Sequence, residues 1–184
     1  MHVTRLSVTP IKGLALSHPP SIDVTDTGAL GDRAFYLVSA DDRLVSITKT
    51  GALVGLTATW DADHQVLSIN NSGDVVFTSG ISLGAPHDAN FFEFRQARGR
   101  VVEGEWGQVF SDLAGQPLRL IKADDSNGGR DVEPLTLLGE ASTAELARHA
   151  GLDHVDSRRF RMLIEFDGAA PHEEDTWDGR VITV

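Results

Sequence analysis

Cysteine is absent from this chain of 184 residues. Without a thiol, these residues can form no disulfide, no thiolate zinc site and no cysteine nucleophile. Basic residues are scarce as well, because 16 lysines and arginines stand against 27 acids and leave a net charge of -11. This charge repels polyanions at long range, so we expect no nucleic-acid partner and no anionic membrane partner. An anion site would have to be assembled locally from a few basic side chains.

Long hydrophobic runs are also missing, since no apolar stretch approaches the roughly 18 residues that a membrane-spanning helix needs. The first residues, MHVTRLSVTPIKG, lack the apolar segment of a signal peptide, so the sequence predicts a cytoplasmic protein. Hydrophobic residues make up 41% of the chain and charged residues 23%, as in folded globular proteins. The length predicts one domain, or one domain and part of a second.

Short strand-like runs between turn signals fill the first 120 or so residues. Alternation is clearest where Val54, Leu56, Ala58 and Trp60 share one face. Residues 70–74, NNSGD, have the composition of a hairpin connection. This spacing predicts a mainly β fold class, a β-barrel with a few short helices. Further strands are predicted over residues 5–8, 34–38, 45–48, 66–69, 75–78, 91–94 and 118–122.

Two helices are predicted from apolar spacing and end signals. The first has apolar residues at i, i+3, i+4 and i+7 from Trp106 and ends before Gly115. The second is predicted to open at Ser142 with a capping box, to present Leu146 and Ala150 as its apolar face, and to end at Gly151. Between them, the polar, glycine-containing residues 123–131 have the composition of a linker or mobile loop. We therefore place a domain boundary there, which gives domains 1–122 and 123–184.

Most clusters of charged residues have an ordinary interpretation. The seven histidines show no HExxH or other ligand spacing, so no metal site is expected. The acidic runs at 153–156 and 173–175 are typical of solvated surface. No glycine-rich nucleotide loop of the GxGxxG or GxxxxGK[ST] type occurs.

The basic run at residues 158–161, RRFR, concentrates three guanidinium groups in an acidic protein. In a strand, Arg159 and Arg161 would share one face and could bind a phosphate or carboxylate through paired N–H donors. The alternative is that these arginines form salt bridges with nearby acids. Lys12 and Arg33 are two further basic residues beside turn signals.

Six segments, taken in order, resemble the MOSC family, which includes the C-terminal domain of molybdenum cofactor sulfurases and the amidoxime-reducing components. The segments are 8–13 (VTPIKG), 27–38 (TGALGDRAFYLV), 47–49 (ITK), 134–142 (PLTLLGEAS), 158–161 (RRFR) and 174–177 (EDTW). The resemblance implies an N-terminal β-barrel domain over residues 1–122, joined to the start of a MOSC β-barrel over 123–184 that is incomplete relative to the family.

The resemblance also implies a ligand, the phosphate-bearing pterin of a molybdenum cofactor (molybdopterin). Its contacts would come from Lys12, Arg33 and Lys49 in the first domain and from three residues of the second domain, Ser142, Arg159 and Arg161. The function implied is sulfur carriage or a molybdenum-dependent reduction with a redox partner that the sequence does not name. The family also carries an association with pyridoxal phosphate binding.

The chain departs from the family pattern at several positions. The family cysteine lies downstream of the EDxW turn, and this chain reaches Val184 without it, so we expect no catalysis by this polypeptide. Gly13, Lys49 and Thr136 replace the family's usual serine, arginine and histidine. These changes support an alternative, a non-catalytic anion-binding or partner-binding module on a degenerate MOSC scaffold.

The sequence around Val184 also predicts an open edge in the second barrel. The chain would then be a fragment, or a divergent homologue that closes its second domain in another way, such as dimerisation through this edge. Exposed strand edges favour pairing with another chain, so a homodimer through this edge is expected.

Overall fold

A computed structural model describes residues 1–47, 51–91, 95–124, 129–130 and 132–182 of the chain. Lys49 and most of the strand predicted over 91–94 lie outside the described residues. Strands are the main regular secondary structure of the described residues, which also contain the α-helices α1 (Trp106–Ala114) and α2 (Glu140–Ala150). The predicted mainly β fold class is confirmed.

The strands pair into four sheets within the described residues, and this pairing closes no barrel. The strands are β1 (His2–Leu6), β2 (Val24–Thr25), β3 (Gly28–Ala29), β4 (Phe35–Ser39), β5 (Leu56–Asp61), β6 (Val66–Asn71), β7 (Asp74–Gly80), β8 (Leu83–Phe91), β9 (Arg95–Val102), β10 (Leu118–Ala123), β11 (Leu137–Gly139) and β12 (Ile164–Asp167). The sheet orders are β1-β12-β11, β4-β10-β9-β8, β2-β3 and β5-β6-β7.

The chain divides into two compact units. The large unit comprises residues 9–17 and 24–134, and the small unit comprises residues 1–8, 18–23 and 135–184. The division into domains 1–122 and 123–184 stays a prediction. No helix in the described ranges is both long and apolar enough to cross a membrane.

The core of the large unit is built where α1 packs on the strands. Trp106 and Phe110 of α1 are 1% and 0% exposed, as the predicted helical spacing requires. The Phe77 ring meets Trp106 edge-on with the ring centroids 4.7 Å apart. Such aromatic pairs stabilise a core beyond their buried area. The predicted end of α1 is confirmed, because Gly115 adopts the left-handed conformation that closes a helix.

Several strand predictions are confirmed and two are wrong. Strand β5 buries Leu56 and Ala58 as predicted, and the turn between β6 and β7 falls in the predicted hairpin. Val54, however, lies outside β5 and is 47% exposed. The strand predicted over 45–48 is absent from its described part, because Val45 bonds only through its N–H to Leu37 and continues no ladder.

The sheet of the small unit joins residues far apart in sequence. Strand β1 pairs antiparallel with β12, and β11 pairs parallel with β12. The Arg5 guanidinium pairs with Glu165 across β1 and β12, with its Nε 3.0 Å from Glu165 Oε1. Because Glu165 is only 6% exposed, this pair compensates a carboxylate that would be costly to bury alone.

The predicted apolar face of α2 is wrong. Leu146 is 44% exposed and Ala150 is exposed, whereas Ala147 and Ser142 are buried. The buried face of α2 therefore differs from the predicted one. The helix has few large apolar residues, so its tertiary packing determines which face is buried. Its predicted end at Gly151 is confirmed.

Candidate functional site

The residues predicted to bind a cofactor lie in both units. Lys12 and Arg33 belong to the large unit, and Ser142, Arg159 and Arg161 belong to the small unit. Each group has its own local geometry.

Lys12 and Arg33 are brought close together by backbone hydrogen bonds between their segments. The Phe35 N–H donates to the Pro10 carbonyl at 2.9 Å, and the Lys12 N–H donates to the Phe35 carbonyl at 2.9 Å. Ile11 and Phe35, which pair in a parallel bridge between them, are both fully buried. This pairing fixes Lys12 and Arg33 on neighbouring stretches of chain.

Arg33 is held in an unusual backbone conformation beside a buried carboxylate. Its φ of 51° lies in the left-handed region, which residues other than glycine rarely adopt. The Arg33 N–H donates to the Thr9 carbonyl at 2.7 Å, and its guanidinium pairs with Asp32, which is 2% exposed. Asp32 Oδ1 in turn accepts from the Thr9 N–H at 2.9 Å. These contacts fix the direction in which the Arg33 side chain leaves the backbone.

Two more arginines, which the sequence did not single out, join Lys12 and Arg33. Arg130 is 8% exposed and donates to the carbonyls of Thr27 and Ala29. Arg95 donates to the Arg130 carbonyl at 2.7 Å. Arg130 lies in the stretch predicted as a linker, where a lone arginine among glycines gave no signal of burial. We call Lys12, Arg33, Arg95 and Arg130 the basic cluster.

An aromatic ring supports one side of the basic cluster. Arg95 lies over the Phe91 ring with its Cζ 4.8 Å from the centroid, and Lys12 Nζ lies 5.9 Å from the same centroid. Phe91 is 1% exposed, so its ring position is fixed by the core. Cations over aromatic faces gain modest attraction and lose side-chain freedom. The cluster therefore presents ammonium and guanidinium groups, the donors that bind phosphate and carboxylate best.

Ser142 of the small unit is committed to a local hydrogen-bond network. Its hydroxyl donates to Glu174 Oε1 at 2.6 Å and accepts from the His172 N–H at 2.9 Å. Glu174 Oε1 also accepts from the Gly139 N–H at 3.2 Å, at the start of α2. The predicted capping box is thus wrong: α2 begins at Glu140, and Glu174, distant in sequence, satisfies the helix end in place of a Ser142 cap.

This network changes the acidity of Glu174. Burial opposes ionisation of the carboxyl, and its Oε2 accepts no hydrogen bond from the described residues. The hydrogen bonds from the Ser142 hydroxyl and from the backbone N–H groups of Glu174 and Gly139, together with the nearby His172, outweigh that effect and hold the pKa of Glu174 below its usual value. Glu174 is therefore an ionised acceptor at neutral pH.

Residues 158–161 do not form the strand in which Arg159 and Arg161 would share one face. Residues Ser157–Arg159 form a 3₁₀ turn in which the Asp156 carboxylate accepts from the Arg158 N–H, and Arg161 adopts a φ of 57°. A side-chain cap of this kind competes with strand formation. Arg159 is exposed and Arg161 half-buried, so the expected pair of guanidinium groups on one strand face does not form.

The neighbouring Arg158 follows the alternative that the sequence left open. Its guanidinium pairs with Asp156 at 2.7 Å, and this hydrogen bond lowers the pKa of Asp156 to about 2. Arg158 is therefore occupied by an adjacent acid.

No group of three or more histidine, aspartate or glutamate side chains in the described parts of the chain is arranged to hold a metal ion. The sequence itself supplies no cysteine.

The chain is similar over most of its length to an amidoxime reducing component and to a molybdenum cofactor sulfurase. It is 26% identical to mitochondrial amidoxime reducing component 2 of Bos taurus, over 98% of this chain and 60% of that protein. It is 28% identical to molybdenum cofactor sulfurase of Caenorhabditis briggsae, over 95% of this chain and 25% of that protein. The chain thus spans 60% or less of the length of these two relatives.

A solved structure also matches in part. A protein of Bordetella bronchiseptica, solved in solution, is 13% identical with a TM-score of 0.40, over 62% of this chain and 95% of that protein. The family description "MOSC N-terminal beta barrel domain" matches residues 1–117. Because that match covers more than half of the 184 residues, the chain belongs to the MOSC N-terminal beta barrel domain family.

Proposed function

We propose that this chain binds the phosphate-bearing pterin of a molybdenum cofactor, with Lys12 and Arg33 as contacts to the phosphate. The observation that carries the proposal is the backbone pairing of residues 10–12 with Phe35, which sets Lys12 and Arg33 side by side. Both positions are ones that the family resemblance marks. Two relatives named for amidoxime reduction and for cofactor sulfuration support the choice of ligand.

The residues present fit one part of this cofactor. Ammonium and guanidinium groups fit its phosphate, since charge-assisted hydrogen bonds to phosphate are short and strong. The 184 residues contain no cysteine, so a thiolate ligand to molybdenum would have to come from outside them. When bound, the cofactor would supply redox chemistry at molybdenum, while Lys12 and Arg33 would hold and orient the anion. Sulfur carriage and reduction of an N-oxygenated substrate remain proposals for the complete site.

The small-unit residues that the resemblance marks differ in how available they are to an anion. Arg159 and Arg161 are accessible enough to contact an anion, because one is exposed and the other half-buried. Ser142 is placed differently, because its hydroxyl already donates to Glu174 and accepts from His172. It could reach a ligand only by giving up the hydrogen bond to Glu174.

The engagement of Ser142 favours a second candidate function. In this scaffold the Ser142 hydroxyl is used in internal hydrogen bonds, and the family cysteine is absent from the 184 residues. Such a scaffold could bind an anion or a protein partner without catalysis. In that case the basic cluster would recognise an anion other than the cofactor. Homodimerisation through the open barrel edge stays a prediction, and so does pyridoxal phosphate binding, which rests on the family association.

The test is cofactor content after anaerobic purification from a host that makes the cofactor. We expect near-stoichiometric molybdenum and pterin fluorescence in the wild-type chain, and at least a tenfold loss in Lys12→Met/Arg33→Met. The control is Arg119→Met, an arginine of the large unit that pairs with Asp42 outside the basic cluster. The measurements are metal analysis, pterin fluorescence and the intact mass of each protein.

The outcomes separate the two functions. Equal cofactor content in the wild type and the double variant would refute Lys12 and Arg33 as contacts. A wild type without metal and pterin that still binds inorganic phosphate through Lys12 and Arg33 would support the anion-binding module. A wild type that binds neither would rule out both proposals.

A further inference from the structure

Arg130 is a buried arginine that donates hydrogen bonds to the backbone of one turn. Its guanidinium donates to the Thr27 carbonyl and, at 3.2 Å, to the Ala29 carbonyl. Arginine offers five N–H donors in a rigid fork, so it can hold two carbonyls of a turn at a fixed separation. Because desolvating a charge is costly, an arginine that is only 8% exposed must be stabilised by hydrogen bonds of this kind.

The turn that Arg130 holds is the one that presents Arg33. The Ala29 carbonyl accepts from Arg130 and also from the Asp32 N–H, at 3.2 Å in both cases. Asp32 is the buried carboxylate that pairs with the Arg33 guanidinium. Arg130 thus contacts the same carbonyl that positions the partner of Arg33.

The residue before Arg130 holds the other end of this turn. The Gly129 N–H donates to the Arg33 carbonyl at 2.7 Å. A Cβ at Gly129 would lie 3.0 Å from that carbonyl and 3.3 Å from Lys12 Cβ, so only glycine fits comfortably. Residues 129–130 therefore bind the turn at both ends, and Gly129 leaves no room for a side chain between the Arg33 carbonyl and Lys12.

The conformation of the turn explains why other residues must hold it in place. Gly28 has a φ of 111° and Arg33 a φ of 51°, both in the left-handed region. For Arg33 this conformation costs free energy, which surrounding contacts must offset. A Cβ at Gly28 would lie 3.1 Å from the Arg130 guanidinium carbon, so the clamp fits the turn closely.

Arg130 and Arg33 also interact electrostatically. Burial lowers the pKa of Arg130 below its ordinary value; the Asp32 carboxylate opposes that shift, and the nearby Arg33 charge adds to it. The two guanidinium groups and Asp32 are therefore close enough to respond to one another.

We infer that Arg130 is a positioning residue that acts through Arg33: it clamps the turn over residues 27–33 and aims the Arg33 guanidinium at the anion. This inference rests on the proposed function for the identity of the anion, but not for the clamp itself. It predicts that loss of Arg130 moves Arg33 whether or not a ligand is present.

The experiment uses the full chain and two readouts. The first is the ¹H–¹⁵N resonance of the Arg33 Nε–H group in the ligand-free protein, assigned by its loss in Arg33→Met. In Arg130→Met we expect this resonance to move to the position of exposed arginines. The control Arg119→Met, which removes an arginine elsewhere in the same unit, should leave it in place. An unchanged Arg33 resonance in folded Arg130→Met overturns the inference.

The second readout is a double-mutant cycle with inorganic phosphate as the probe. We expect Kd to rise about tenfold in Arg33→Met, about tenfold in Arg130→Met, and about tenfold, not a hundredfold, in the double variant. A hundredfold loss overturns the inference, because Arg130 would then act independently of Arg33. If the wild type fails to bind phosphate, the anion-binding module is contradicted, cofactor content alone tests the proposed function, and the ligand-free resonance decides the role of Arg130.

Two milder variants keep the test decisive if Arg130→Met does not fold. Arg130→Lys keeps the charge but cannot bridge two carbonyls with a planar fork. Gly129→Ala forces the Arg33 carbonyl away from its donor. Each should move the Arg33 resonance while the far-ultraviolet circular dichroism stays that of the wild type. Folded variants in which both leave the resonance in place overturn the inference.

Discussion

Replacing Ser142 with alanine tests the hydrogen-bond network at the start of α2. The substitution removes a donor at 2.6 Å from an ionised Glu174 and an acceptor for the His172 N–H. A hydrogen bond to a charged group contributes about 1.5–3 kcal/mol and a neutral one about 0.5–1.5 kcal/mol. Because His172 is exposed and water can replace its lost partner, we expect a net destabilisation of about 2–3 kcal/mol.

Hydrogen exchange of the α2 amides measures this loss locally, without assuming that both units unfold together. A loss of 2–3 kcal/mol corresponds to exchange about 30- to 150-fold faster. Thr143→Ala is the matched control, since Thr143 is the next residue and its hydroxyl bonds only to the Glu140 carbonyl of its own helix. Exchange in Ser142→Ala no faster than in Thr143→Ala would refute the reasoning.

The same substitution should change the acidity of Glu174. In the wild type the pKa of Glu174 lies below its usual value, although burial pushes it upward. The contribution of Glu174 to stability is therefore complete above the ordinary pKa of 4.5 and disappears as the pH falls through the lower value in the folded protein. In Ser142→Ala the effect of burial is less opposed, so the pKa of Glu174 should rise. A ¹³C titration of the Glu174 carboxyl that shows no rise would contradict this account.

Three further substitutions test packing and charge, each by chemical denaturation. Gly99→Ala should prevent stable folding, because a Cβ there would lie 2.6 Å from a core side chain of β10 and overlap its backbone; Gly84→Ala, which meets only the flexible end of a glutamate, should fold. Trp106→Ala should lose about 3–5 kcal/mol through the cavity it leaves, and a smaller loss would mean that the site collapses. Arg5→Met should cost about 3–5 kcal/mol by leaving the buried Glu165 carboxylate alone, and a near-neutral effect would show that water reaches it.

The elements that the sequence predicts well are those whose signals are local. Helix α1 follows from a 3.6-residue apolar period and a glycine that can end it. The turn after β6 follows from residues that tolerate positive φ, and Ser72 and Gly73 adopt it at 52° and 96°. Neighbouring residues alone determine these features, so one sequence is enough to predict them.

The features that the sequence predicts poorly depend on residues far away in the chain. Ser142 has the pattern of a helix cap, but Glu174 takes that place from a position 32 residues further on. Arg130 has the surroundings of a linker, but it is buried against a turn about 100 residues earlier. Residues 158–161 fail for a different reason, because Asp156 bonds to their backbone and produces a turn.

The candidate site was predicted only in part, because its assembly also depends on residues that are distant in the chain. Lys12 and Arg33 could be named from motifs, but their proximity depends on the bridge between Ile11 and Phe35, a long-range register that spacing does not reveal. Arg95 and Arg130 carry no motif, and only the fold brings them to the other two.

The pairing of β1 with β12 determines when the small unit can form during synthesis. His2–Leu6 leaves the ribosome well before its partner strand, Ile164–Asp167, which is made about 160 residues later. At about 5–20 residues per second, the first strand waits roughly 8 to 30 seconds for its partner. During that interval the large unit can fold, while β1 keeps an exposed edge that must avoid other chains. A nascent chain stalled before residue 164 should therefore recruit chaperones through residues 2–6.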